Sequence, residues 1–400
     1  MNNNHWQFDT KAIHACHRPD PETGAISQTV VPAVAYAFAD AESAAACVSG
    51  ERQGTYYGRY GNPTARTLEE KVACLENGEA CIGLSSGMAA ISSALLAFLQ
   101  AGDHVIVTKD VYGGTYNFIT KMAPRFGISH SFVDCTDPAV VEASIISNTK
   151  AIFVETPSNP LLTVLDLKAL AEVAKAHKLP LIVDNTFMTP CLQRPLELGA
   201  DVVVHSATKY MNGHGDVLAG FVVGRQDVVD FVRMRVSGDL GQNLNAWESF
   251  LILRGLKTLG LRVREHCANA AAVAGYLDAH PNVMKVHYPG LASHPQHELA
   301  RRQMKEMGGI VSFEVHGGEG AAKQVMDRLE LAMISFSLGD PETLVQHPAS
   351  MTHFSMPREV RYEQGITDGL LRLSIGLESA EDIIADLEQA LQTLPEEDQA

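Results

Sequence analysis

The run Val202-Val203-Val204-His205 ends in Ser206-Ala207-Thr208-Lys209, which puts two hydroxyls and a primary amine directly after a β-branched stretch. A second apolar run, Leu179-Pro180-Leu181-Ile182-Val183, ends in Asp184-Asn185. Runs of this type read as buried strands. A lysine amine at a strand end can bond a carbonyl compound covalently and later move protons. An aspartate at another strand end can hold a ring nitrogen in its protonated form. Taken singly, Lys209 also reads as an exposed cation and Asp184 as a turn former. Together they fit an aldehyde cofactor that carries a ring nitrogen.

A phosphate on that cofactor would need donors. Ser85-Ser86-Gly87-Met88 joins a strand to a helix, where backbone N–H groups point at an anion and the glycine allows close approach. Ser206 and Thr208 add hydroxyls beside the lysine. Aldehyde, ring nitrogen and phosphate together describe pyridoxal phosphate. Tyr57-Gly58-Arg59 reads either as a charged clamp on the phosphate or as a solvated arm. Tyr112, in Val111-Tyr112-Gly113-Gly114-Thr115, could stack on the ring and use its phenol as an acid or base, or be a packing tyrosine. Arg372 interrupts the apolar run Gly369-Leu370-Leu371-Arg372-Leu373-Ser374. A buried guanidinium there needs an anion, which a substrate α-carboxylate or a structural ion pair would supply.

These residues follow strands in an alternating pattern. Strands are predicted over 81–84, 103–107, 128–133 and 151–155, then up to Asp184, up to His205, and over 219–223. Helices are predicted over 67–76, 88–99 and around 167–174. Such βαβ units predict an α/β fold with a mainly parallel sheet buried on both faces, with ligands outside the carboxyl ends of the strands. Residues 1–60 read as an irregular N-terminal arm and 61–255 as the cofactor-binding domain. Residues 256–400 read as a smaller C-terminal α/β domain, with strands over 283–287 and 309–315 and an acidic amphipathic helix over 380–394.

Composition narrows the class. The chain has 400 residues, 46% of them hydrophobic and 20% charged, with a formal net charge of −16. This balance argues against a nucleic-acid or anionic-membrane partner and leaves room for a small anionic substrate. No apolar run reaches the length of a membrane span, and Met1 to Gln7 lacks the apolar core of a signal peptide. The seven cysteines are widely spaced without C-x-x-C, which fits free thiols in a reducing, cytoplasmic setting. The sixteen histidines show no H-E-x-x-H, and no metal role is expected.

One rival comes from another class. Ser206-Ala207-Thr208-Lys209 matches S-x-x-K, the signature of serine–lysine acyl transfer. Its companions S-D-N and K-T-G are missing, and Asp184 and the Ser85-to-Met88 turn would have no role in it. There is no G-x-G-x-x-G and no P-loop.

The motifs in order resemble the pyridoxal-phosphate enzymes of cysteine and methionine metabolism, of the cystathionine γ-synthase and methionine γ-lyase type. The resemblance spans nearly the whole chain. It covers Tyr57 to Thr64, Ser86-Gly87-Met88, Asp110 to Thr115 and Glu155 to Pro160. It continues through Val183-Asp184-Asn185-Thr186, His205 to Tyr210, His347 to His353 and Leu371 to Gly376. It implies a fold type I, aminotransferase-like architecture with a seven-stranded sheet. It also implies that Lys209 bonds the cofactor aldehyde, Asp184 partners the ring nitrogen and Tyr112 stacks as acid or base. Gly87, Met88, Ser206 and Thr208 would bind the phosphate. Tyr57 and Arg59 would reach the phosphate of a neighbouring subunit, in a homotetramer built from two dimers. Ser337, Arg372 and Asn159 would hold the substrate carboxylate.

Within the family, Ser337-Leu338-Gly339-Asp340 and Gln346 to His353 resemble methionine γ-lyases. Phe336 stands where enzymes handling cystathionine carry a glutamate, which implies an uncharged substrate tail. Gly114 departs from the cysteine of methionine γ-lyases and matches cystathionine enzymes and sulfhydrylases. Ser237-Gly238 stands near a Lys-Asp pair of the former. The resemblance implies γ-elimination from methionine or homocysteine, giving 2-oxobutanoate, ammonia and a thiol. Cystathionine γ-lyase, cystathionine γ-synthase and O-acyl-homoserine sulfhydrylase activities are the alternatives.

Overall fold

The computed structural model describes residues 6–16 and 18–392. Seven strands build the larger sheet: β1 (Ala80–Leu84), β2 (His104–Thr108), β3 (Ser129–Val133), β4 (Thr149–Glu155), β5 (Leu181–Asp184), β6 (Val202–Ser206) and β7 (Gly220–Gly224). Their order is β1-β7-β6-β5-β4-β2-β3. β7 runs antiparallel to β1 and β6, and every other neighbouring pair is parallel. The expected seven-stranded, mainly parallel α/β sheet is therefore present.

Alternation along the strands feeds two apolar layers, as period-two geometry requires. Val202, Val204 and Val222 pack with Ile82, Leu95 and Val107 on one face. Val203, Phe221 and Val223 pack with Leu68, Val72, Leu75 and Leu256 on the other. The helix Pro63–Glu76 begins at Asn62, whose side chain accepts from the amides of Thr64 (2.9 Å) and Ala65 (3.4 Å), with proline at the first helical position. It stops at Asn77, which adopts the left-handed conformation at φ 60°.

The first sixty residues are more regular than their composition predicts. They hold the helices Phe8–His14 and Ala41–Ser49. The second is set by local chemistry: Asp40 caps the Ser43 amide at 2.7 Å, and Gly50 ends the helix at φ 83°. The surrounding prolines and turn formers hide so short a helix from a periodicity reading.

A second sheet follows, with β8 (Val283–His287), β9 (Ile310–Val315), β10 (Met333–Ile334), β11 (Leu344–Gln346) and β12 (Leu370–Ser374) in the order β10-β11-β12-β9-β8. β10 and β11 are too short to show alternation, and the sequence reading passes over them. The helix Ala380–Leu391 packs Ile383 and Leu387 against β9 and β12 side chains. Residues 393 and 394 of the predicted tail helix lie outside the described residues. No helix among the described residues is long and apolar enough to cross a membrane.

Candidate active site

The carboxyl ends of β2, β4, β5 and β6 converge on a cavity of about 230 Å³. Lys209, Asp184, Tyr112, Gly87, Met88, Ser206, Thr208, Asn159, Phe336 and Arg372 all line it. Residues scattered over the chain thus meet where a parallel sheet places its ligands.

Asp184 ends β5 in register with Val204 of β6 and Glu155 of β4. Its Oδ1 accepts from the Thr186 amide (3.0 Å) and hydroxyl (2.5 Å). Burial raises its pKa, while these bonds and the His205 charge pull the other way. None of the ion pairs among the described residues involves this carboxyl. A cationic ring nitrogen is the partner such a buried acid lacks.

The phosphate end is built from the helix Gly87–Leu96. Ser86 caps it by accepting from the Ala89 amide at 3.1 Å, and the first backbone bond runs from Ala90 to Ser86. Helix geometry leaves the N–H groups of Gly87 and Met88 without intrahelical acceptors. A Cβ on Gly87 would lie 2.6 Å from Ser206 Cβ and 2.8 Å from its Oγ, so only glycine lets the helix end approach β6. The Thr208 hydroxyl accepts from the Ala219 amide at 3.0 Å, which holds it beside β7. This cradle of amides and hydroxyls fits a phosphate.

Lys209 Nζ donates to Ser337 Oγ at 3.2 Å. Burial, then the charge of Arg372, pushes its amine down to about 8. The hydrogen bond of the Lys209 amine runs to Ser337 and not to the Ser206 hydroxyl, which lies at the helix end, so the serine–lysine alternative lacks its dyad. Arg372, 2% exposed on β12, donates from Nη1 to Asn159 Oδ1 (3.0 Å) and from Nη2 to the Ser337 carbonyl (2.9 Å). With the fully buried Gln346 carboxamide oxygen turned toward it, Nη1 and Nε also donate there at 2.9 and 3.1 Å. All these partners are neutral, which leaves the charge for a substrate carboxylate. Burial pushes this guanidinium down to about 10.

Tyr112 immediately precedes the short helix Gly113–Asn117 without a side-chain cap bond, and its ring is partly exposed at the cavity. Burial raises its phenol pKa, partly opposed by Arg372. Phe336 is 64% exposed at the cavity edge, and Leu338, two positions on, is buried in the cavity wall.

Tyr57 and Arg59 are not brought to this cavity. The Arg59 guanidinium stacks 4.7 Å from the Tyr60 ring centroid and 5.8 Å from that of Tyr57, and it donates to the Gly238 carbonyl. Sequence reasoning assigned no role to Glu155, Thr186, Phe187, Leu218 or Gln346. Glu155 had a usable signal, a carboxylate at a strand end like Asp184. Thr186 had one too, a hydroxyl two residues after Asp184, whereas Gln346 had none, since its role comes from what folds against it.

A family model for Cys/Met metabolism PLP-dependent enzymes matches residues 9–392. The chain belongs to this family. Pyridoxal phosphate is accordingly its cofactor, and the residues above fit it. The chain is 48% identical to an L-methionine gamma-lyase of Treponema denticola over 97% of each chain. It is 44% identical to a cystathionine beta-lyase of Coxiella burnetii over 98% of this chain and 99% of the other. Among solved structures, cystathionine gamma-lyase from Lactobacillus plantarum complexed with L-serine matches with a TM-score of 0.91 at 40% identity, covering 97% of this chain and 99% of that one.

Proposed function

We propose that this chain is a carbon–sulfur lyase that converts L-methionine, L-homocysteine or related thioethers, with one water, into 2-oxobutanoate, ammonia and a thiol. The lining of the cavity carries this assignment. Among the described residues that form it, the carboxylates are Glu155 and Asp184. Glu155 is occupied by two backbone amides, and Asp184 is matched to the ring nitrogen. A substrate with a distal ammonium, such as cystathionine, would meet Phe336, Leu338 and Leu218 without a counter-charge. An uncharged thioether tail meets no such cost. The likeness to methionine gamma-lyases supports the same choice.

Bound pyridoxal phosphate supplies an electron sink for charge developing at the substrate Cα. Gly87, Met88, Ser206 and Thr208 hold its phosphate, and Asp184 keeps its ring nitrogen protonated. Arg372, Asn159 and Ser337 fix the substrate carboxylate and so orient the Cα–H bond. Lys209 takes the Cα proton, which its depressed pKa suits it to do near neutrality. A Cβ proton leaves next, which frees the electron pair that expels the γ-sulfur, and Tyr112, kept as a phenol, gives the departing sulfur a proton.

Tyr57 and Arg59, distant from the cavity of their own chain, serve a neighbouring subunit, and the assembly is a homotetramer of two dimers. Light scattering of the holoenzyme tests the mass. γ-Replacement or cystathionine cleavage is the second reading, favoured by Gly114 and by the cystathionine beta-lyase relative. The deciding experiment measures 2-oxobutanoate from L-methionine, L-homocysteine, L-cystathionine and O-acetyl-L-homoserine, with and without sulfide. Ketoacid from methionine or homocysteine without sulfide supports the lyase. Sulfide-dependent homocysteine formation with little ketoacid would replace it with a synthase.

A further inference from the structure

None of the steps above uses Glu155, although it lies in the cavity wall and is only 5% exposed. It ends β4 as the register partner of Asp184. Each of its carboxyl oxygens takes one backbone N–H: Oε2 from Tyr112 and Oε1 from Asn159, both at 2.9 Å. The Tyr112 amide opens the segment after β2 that carries the aromatic ring. The Asn159 amide belongs to the segment after β4, whose Asn159 Oδ1 in turn receives Arg372 Nη1 at 3.0 Å. One carboxyl group therefore ties together the residue over the ring site and the residue that orients the substrate-carboxylate anchor.

An acid is an expensive choice for this place. Burial first, and the neighbouring Asp184 charge second, hold the Glu155 carboxyl well above the usual carboxylate range. An apolar residue would avoid that cost but would leave two buried N–H groups unpaired. A glutamine has one acceptor oxygen and would turn an amide N–H₂ toward the second donor. Only a carboxyl group accepts from both amides at once.

We propose that Glu155 is a positioning residue that sets the spacing between Tyr112 and the Asn159–Arg372 pair, and so aligns cofactor ring with substrate carboxylate. This rests on the lyase reading above. The test compares wild type with Glu155→Gln. In the variant, KM for L-methionine should rise about ten- to a hundredfold, more than kcat falls. The cofactor's visible circular dichroism band should change, and the apo-protein should bind added pyridoxal phosphate more weakly. A folded variant with wild-type KM, dichroism and cofactor affinity overturns the proposal, as does a lowered melting temperature as its sole effect.

Hydrogen exchange on the wild-type holoenzyme adds a check that does not depend on the variant's folding. The amides of Tyr112 and Asn159 should be protected about as well as those inside β4, and fast exchange at both would overturn the assignment. Failure of the lyase reading looks different. Wild type would then bind pyridoxal phosphate yet release no ketoacid from methionine, while the exchange and dichroism results would still report on Glu155.

Discussion

Lys209 Nζ and Ser337 Oγ lie 3.2 Å apart although 128 positions separate them in the chain. The same Ser337 gives its carbonyl to Arg372 at 2.9 Å. The segment around residue 337 thus connects the amine that would take the substrate proton to the guanidinium that would hold the substrate carboxylate.

The Lys209 amine sits near 8 because burial and Arg372 disfavour its charge. Replacing Lys209 with Ala should abolish ketoacid release, by about 10³-fold or more in kcat. A depressed lysine pKa means that the unfolded chain binds more protons than the folded one between about pH 8 and the ordinary lysine value. Stability from this group therefore rises with pH across that window, and the cost of burying the charge is present in full below it. Apo Lys209→Met should melt above apo wild type at pH 7 by about 2 °C or more, with the gap closing above pH 10. Paired thermal melts at pH 7 and pH 10 check this, and equal melting points at pH 7 would contradict it.

Arg372 offers a planar fork held by Asn159, Ser337 and Gln346. Arg372→Leu should raise KM for the amino acid by about a hundredfold with a smaller loss in kcat. Arg372→Lys should recover little of this, because an ammonium with three N–H groups cannot keep these three neutral partners and still offer one to the carboxylate. Steady-state kinetics on the two variants distinguish anchoring from general loss of structure.

A Cβ at position 114 would fall 2.4 Å from Tyr112 Cε1 and 3.0 Å from Met88 Sδ. The Tyr112 ring occupies space that any side chain at 114 would take. Gly114→Cys should therefore move the ring, which is partly exposed, without unfolding the protein. The expected result is a kcat reduced about tenfold for the thioether substrate, with a melting temperature within about 2 °C of wild type. An unchanged kcat would show that the ring position is not set here.

Glu76 Oε1 accepts from His205 Nε2 at 2.6 Å and from Asn185 Nδ2 at 3.1 Å, with the Glu76 and His205 side chains both buried. His205 precedes Ser206, and Asn185 follows Asp184, so this acid fastens the two strand ends that carry cofactor ligands. Glu76→Ala should cost about 3–5 kcal/mol by stranding buried partners, and Glu76→Gln distinctly less. Urea unfolding of the two variants gives the comparison.

The alternation of β-branched runs with helical spacing was enough to determine the mainly parallel α/β sheet, because strand burial on both faces leaves a mark in local sequence. Lys209, Asp184 and the Ser86-Gly87-Met88 turn were legible for the same reason, since each sits where a strand ends. Arg372 was legible as a charge inside an apolar run, yet its sequence left open whether it met a substrate or an ion pair. Tertiary structure surrounds it with neutral oxygens from β11, the segment after β4 and the segment around 337, with no carboxylate among these hydrogen-bond partners. It also decided the pairing of the Lys209 amine with Ser337 over Ser206, the tether from Glu155 to Tyr112 and Asn159, and the packing of the Tyr112 ring over Gly114, which leaves no room there for a Cβ. Each of these is a contact between segments far apart in the chain, so it depends on crossover and register, for which local residue preference carries no signal.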